Sequence, residues 1–220
     1  MSRCVMSRHL SVLLIALLSA CASVPQGSSA ANFAPYDARY HELIETVKAL
    51  ATTAQFEELR QVYVKTSYYN PYTGSERALS QLMFEAMESQ NWQACLDNAN
   101  EILDTNYISI NAHYGAMVCS FESGNEDAGV YHKYVLDGLV GAVWAGGNGK
   151  SMKTAFFCTG TTELYAFINL HDFKVVGQAL VHNQGRSYDV MELESRGGRI
   201  FNWYFDITAQ WTRGMEGVEN

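Results

Sequence analysis

Residues 75–94, SERALSQLMFEAMESQNWQA, and residues 109–128, SINAHYGAMVCSFESGNEDA, are one pattern written twice. At an offset of 34 residues, Ser75/Ser109, Ala78/Ala112, Met83/Met117, Glu88/Glu122, Ser89/Ser123, Asn91/Asn125 and Ala94/Ala128 are identical. A period of this size belongs to units that fold as helical hairpins and bury their apolar faces by stacking on one another. Small residues at Ala94 and Ala128 let paired helices approach closely. The repeat therefore predicts helical hairpins as the centre of the fold.

Outward from this segment the helical spacing continues on the N-terminal side. Leu43, Val47 and Leu50 share one face of a predicted helix over Tyr40–Ala51, and a second helix is predicted over Phe56–Val64. Ser67-Tyr68-Tyr69-Asn70-Pro71-Tyr72-Thr73-Gly74 then reads as a loop with turn residues. On the C-terminal side Gly146-Gly147-Asn148-Gly149 ends the helical half. Thr154–Thr159 (TAFFCT) predicts a strand, and Thr161 caps a short helix running to His171, with Glu163 in its first turn.

Three further strands are predicted over Val175–His182, Ser187–Glu194 and Arg199–Ile207. Asn183-Gln184-Gly185 and Gly197-Gly198 separate them as tight turns, which makes an antiparallel meander. Phe201, Trp203, Phe205 and Ile207 alternate with Asn202, Tyr204 and Asp206, the pattern of a sheet with one buried side. The expected class is α+β: N-terminal helical hairpins over 37–146, an α+β region packed on them over 147–212, and a tail over 213–220.

The first residues read as an export signal. Arg3 and Arg8 precede an apolar run from Leu10 to Leu18, too short for a bilayer span of about 20 residues. The run closes on Leu18-Ser19-Ala20-Cys21, which resembles the bacterial lipobox. Small residues before the cysteine suit a tight peptidase pocket, and the thiol takes the diacylglyceryl group. The expectation is a signal peptide over 1–20, lipid attachment at Cys21 and a small, polar, flexible tether over 21–36. Several acyl chains hold a protein firmly where one is marginal. Ala22 follows the cysteine where an aspartate favours the inner membrane, so the expected location is the outer membrane, facing the periplasm.

A chain of 220 residues with 48% apolar and 12% aromatic side chains has the makings of a folded core. Cleavage removes two of 15 basic residues and no acid, taking the net charge from −8 to −10. That sign argues against nucleic acid and against adsorption to anionic lipid. Cys95, Cys119 and Cys158 remain in the mature chain, in a compartment that permits disulfides, and an odd number leaves at least one unpaired. Cys95 and Cys119 each lie 12 residues from Tyr107, at matching heights on consecutive helices. They are either a disulfide or two small apolar side chains in a helix interface.

Familiar catalytic and metal motifs are missing from the sequence. Gly149-Lys150-Ser151 imitates the end of a phosphate-binding loop, but Trp144 stands where that loop needs glycine. His41, His113, His132, His171 and His182 show no i,i+4 pairing, and neither a zinc-binding C-x-x-C nor a G-x-S-x-G nucleophile elbow occurs. No cofactor is implied. Cys158, between Phe157 and Thr159, reads as a core residue or a thiol nucleophile.

Two candidate surfaces follow. Tyr69, Asn70 and Tyr72, with Met83, Met87, His113, Met117 and Phe121 on the inner faces of the hairpins, form a binding face for an envelope protein or peptide, unless they staple the loop and pack the core. Glu163, Tyr188 and Asp189 are the alternative, a cleft between helices and meander in a hydrolase or transferase.

The 34-residue offset equals the tetratricopeptide period, although Gln81 and Glu85 stand where that repeat carries bulky apolar residues. The array is a degenerate, tetratricopeptide-like one. The whole chain resembles a family of bacterial exported proteins catalogued as a domain of unknown function (number four-nine-one-nine). Tyr69-Asn70-Pro71-Tyr72, Gly147-Asn148-Gly149 with Thr154-Ala155-Phe156, Glu163-Leu164-Tyr165, Gly177-Gln178, Tyr188-Asp189 and Tyr204-Phe205-Asp206 carry the resemblance. It implies an α+β layout and an envelope location, and it brings no activity, cofactor or catalytic residue.

Overall fold

A computed structural model describes residues 32–50, 53–72 and 75–216. The export signal, Cys21 and the tether as far as Ala31 lie outside the described residues. Helix α1 spans Ala34–Leu50, so the last residues expected in the tether are helical. Pro35 suits the first turn, where its missing N–H is not needed. Helix α2 (Thr53–Tyr63) packs against α1.

Helices α3 (Ser75–Glu88), α4 (Trp92–Thr105), α5 (Ile110–Glu122) and α6 (Glu126–Ala145) each pack on the next, and α2 lies against α6. The sequence repeat reappears as repeated turn chemistry. Gln90 (φ +58°) and Gly124 (φ +81°), 34 residues apart, hold the left-handed conformation that ends a helix. Asn91 N–H donates to Ala86 O at 2.8 Å, and Asn125 N–H donates to Ser120 O at the same distance. The Asn91 and Asn125 side chains then cap α4 and α6 by accepting from Ala94 and Ala128 N–H.

Between α4 and α5, Cys95 and Cys119 are joined by a disulfide with Cα atoms 6.4 Å apart. Cys158 is a free, buried thiol. Met83, Ala86, Ala99 and Ala116 pack around the bridge. Gly115 lets Met83 in: a Cβ there would meet the Met83 sulfur at 2.3 Å.

The second half is a four-stranded sheet of order β1-β4-β3-β2. Strands β2 (Lys174–Asn183), β3 (Arg186–Glu194) and β4 (Ile200–Asp206) form an antiparallel meander, and β1 (Phe156–Phe157) adds to β4 in parallel. The β1 segment is shorter than its apolar run predicts, because Met152–Thr154 coil into a 3-10 turn before it. Gln184 (φ +50°) and Gly185 (φ +76°) make a two-residue hairpin whose twist matches that of the strands. On the outer strand β2 the register slips between Val175 and Gly177.

Strand parity decides the core. Met191, Leu193, Trp203 and Phe205 share one face with Phe156, and they are covered by Leu164, Phe167 and Ile168 of helix α7 (Thr161–Leu170) and by Val143 of α6. Helix α8 (Thr208–Glu216) follows the sheet, so residues 213–216 of the expected tail are helical. Among the described residues no helix is long and apolar enough to cross a membrane.

Candidate functional site

A cavity of about 770 Å³ lies between the start of α3, the α4–α5 turn, the Tyr69–Tyr72 loop and the start of α7. The α7 wall includes one member of an ion pair, Glu163. Arg60, on the inner face of α2 and 1% exposed, donates to both Glu163 carboxylate oxygens at 2.8 and 2.9 Å. A further Arg60 N–H reaches Phe157 O at 2.7 Å, and Thr159 N–H donates to Glu163 at 2.8 Å. Burial alone pushes the Glu163 carboxyl up, but the Arg60 charge and these hydrogen bonds outweigh it and hold the group below the usual range. Glu163 is thus a fixed carboxylate that ties α7 to α2.

Thr161 is the first residue of α7 and not its cap. The capping position is Gly160, and no side chain caps the helix. Next to it the Cys158 thiol donates to Gly160 O, and burial followed by the nearby Glu163 pushes its pKa well up. Such a thiol is protonated and inert, which places Cys158 in the core.

The tyrosines of the loop anchor it. Tyr69 is buried and donates to Thr159 O at 2.6 Å, and its ring stands edge-on to Tyr63. Tyr72 is 54% exposed, yet its hydroxyl donates to Gln210 O at 2.9 Å. These bonds hold the loop across the mouth of the cavity, so Tyr69, Asn70 and Tyr72 form part of its wall.

The other members of that expected binding face lie elsewhere. Met83 is fully buried against the disulfide, and Met87 is partly buried beside it. His113 is also fully buried, between the Tyr107 carbonyl at 2.8 Å and His132 at 3.0 Å. Met117 packs partly buried on the core of α1 and α2, while Phe121 is 38% exposed and lies over Gly129. Helical periodicity correctly marks these residues as apolar faces, but neighbouring helices cover most of them. None of them lines the cavity beside the tyrosine loop.

Glu163, Tyr188 and Asp189 do not share a cleft either. Adjacent strand residues point to opposite faces, and Tyr188 pairs with Asp206 while Asp189 pairs with Phe205 on the core side. Tyr188 lies under the Arg186 guanidinium, 5.8 Å from its ring. Asp189 is buried, and burial raises its pKa; a hydrogen bond with the Gln178 side chain partly offsets this. Gln178 lines the cavity and in turn accepts the Tyr165 hydroxyl proton at 2.9 Å.

Most of the wall went unnoticed in the sequence. Glu76, in the first turn of α3, accepts from Ser109 Oγ at 2.7 Å and from Asn106 Nδ2 at 3.0 Å. A carboxylate only accepts, so Asn106 must turn its nitrogen to it and its oxygen away. That Asn106 Oδ1, together with Ser80 Oγ, is buried without a hydrogen-bond partner. Thr161, Thr162 and Gln210 complete a wall of hydroxyls and amides. Among the described residues no three of His, Cys, Asp and Glu are grouped to hold a metal ion.

Among curated proteins and among solved structures nothing matches the chain. The family described as Domain of unknown function (DUF4919) matches residues 31–215, which takes in every helix and strand named above except the last residue of α8. The chain belongs to this family.

Proposed function

We propose that the protein is a non-enzymatic binding module of the cell envelope, held by a lipid on Cys21 at the outer membrane and facing the periplasm. Its cavity receives a polar ligand, either a peptide or a protruding segment of a protein partner. The observation that carries this reading is a cavity of about 770 Å³ that sets hydroxyls and amides among apolar side chains, with two unpartnered polar atoms in its wall. Its volume lies in the range of about 300–1,000 Å³ typical of ligand sites. Nucleic acid is a poor match for a chain of net charge −8.

Hydrolase or transferase chemistry finds little support. Glu163 is engaged by Arg60, Tyr188 lies on the far face of the sheet, and the Cys158 thiol is buried and protonated. Asp189 sits behind Gln178, with no nucleophile of this group beside it.

A photo-crosslinking residue at Thr162, on the full-length chain in its own envelopes, tests the binding role. The expected result is a discrete adduct that is missing when the same residue is placed at Lys133, on the exposed side of α6. Equal labelling at both positions overturns it. Mass analysis of the N-terminal peptide tests the anchor: a triacylated Cys21 is expected, and an unmodified amine there removes the location.

A further inference from the structure

We propose that the cavity recognises a short peptide by both of its ends, taking the free ammonium at Glu76 and the free carboxylate at the start of α7. This inference rests on the binding role proposed above and assigns the ligand's chemistry.

The Glu76 wall holds the cavity's open acceptors. A carboxylate offers about four lone-pair directions, and Ser109 and Asn106 use two of them. None of the salt bridges among the described residues includes Glu76; Arg77 beside it is exposed and lines the same cavity without pairing with it. Ser80 stands one turn further along the same face of α3 and is 7% exposed, with no partner for its hydroxyl. Asn106 Oδ1 is an acceptor without a donor. Burying such atoms unpaired costs free energy that a bound partner recovers. An ammonium carries three donors and no acceptor, and one carboxylate with two neutral oxygens is the matching set. A hydroxyl would bring a single proton and no charge for Glu76.

The start of α7 supplies donors. Helix α7 starts at Thr161 with no side-chain cap, so its first N–H groups have no partner from a capping side chain. The first-turn acid, Glu163, also lines the cavity, but Arg60 offsets its charge and its carboxylate is already taken by Arg60 and by Thr159 N–H. Thr161 and Thr162 bring this donor end into the cavity wall, where a carboxylate is the natural anion. Asn111, Gln178 and Gln210 add amides to the wall, with Gln178 already bonded to Tyr165 and Gln210 to Thr161.

Three probes titrated into the full-length protein decide the matter: trialanine, N-acetyl-trialanine and trialanine amide. Calorimetry is expected to show saturable binding of trialanine and at least about a tenfold loss for each blocked form, equivalent to one charge-assisted hydrogen bond. Glu76→Gln keeps the shape of the wall and is expected to abolish the preference for the free ammonium, with an unchanged circular dichroism spectrum. Amide resonances of Thr161 and Thr162 are expected to shift with trialanine and not with its amide. Equal affinity for free and acetylated peptide overturns the inference, as does a Glu76→Gln protein that still prefers the free amine. No saturable trialanine binding at millimolar concentration overturns it too. A Thr162 adduct without trialanine binding leaves the binding role standing and removes only the two-ended recognition, whereas loss of both removes both.

Discussion

Arg60 and Glu163, 103 residues apart in sequence, meet through two hydrogen bonds of 2.8 and 2.9 Å with both side chains almost fully enclosed. A buried charge left without its partner is far more costly than the pair is beneficial. Glu163→Gln or Arg60→Met alone is therefore expected to lower stability by about 3–5 kcal/mol, and the double replacement by clearly less than the sum. Urea unfolding of the four proteins measures the coupling. Strict additivity would show that the pair does not act as a unit.

A second expectation concerns pH. The Tyr107 carbonyl can only accept, so His113 presents Nε2–H to it and its bare Nδ1 to His132. Burial first, and then His132, lowers the His113 pKa to about 3. In the unfolded chain the same ring titrates near 6.5. Between those values the unfolded state binds the extra proton, so the contribution is complete above pH 6.5 and lost as the pH falls toward 3. The His113 contribution to stability is expected to fall by up to about 1.4 kcal/mol per pH unit below 6.5. His132, lowered in the same direction by burial, adds to the slope. Urea midpoints at pH 7, 6 and 5 check this, and a His113→Phe protein with an unchanged slope would sink it.

How far all this could be read from the chain alone depends on distance along it. The hairpins were legible because their signals are local: an apolar stripe, a left-handed turn residue and an asparagine cap, repeated after 34 residues. The meander was legible for the same reason, since parity and Gln184-Gly185 lie within one hairpin. Arg60 gave no signal, because a partner 103 residues away leaves no spacing to detect. The cavity was illegible because its wall is assembled from segments scattered between Tyr63 and Gln210, and the Ser, Thr, Asn and Gln among them are residue types that also cover ordinary surfaces. Met83 and His113 show a different limit. Periodicity reveals that a face is apolar, but only packing reveals that Gly115 lets Met83 bury itself.

The disulfide supplies a third expectation. Cys95 and Cys119 are separated by 24 residues, a loop whose closure in the unfolded chain is worth about 3 kcal/mol in the chain-entropy description. The double Cys95→Ala, Cys119→Ala protein is expected to lose about that much stability. Thiol counting under denaturing conditions, before and after reduction, is expected to gain two thiols. An unchanged count removes the bridge.

The turn residues supply a fourth. Gly124 has φ +81° and nothing within 4 Å of where a Cβ would sit, so Gly124→Ala meets only the backbone cost of the left-handed region. The expected loss is about 1 kcal/mol. Gln90→Gly, at the equivalent turn with φ +58°, is expected to be neutral or to gain about 0.5 kcal/mol. Denaturant midpoints read both, and a Gly124→Ala protein as stable as the parent would contradict the assigned turn.

Strand β2 leaves one flank of the sheet open, with its register broken between Val175 and Gly177 and a lysine at its first residue. At high local concentration proteins meet flank to flank, and an uninterrupted ladder of unmet amides invites the next copy to zip on and seed a fibre. The kink and the ammonium of Lys174 spoil that template. Copies of the chain can therefore be concentrated together without this edge becoming a nucleus for aggregation.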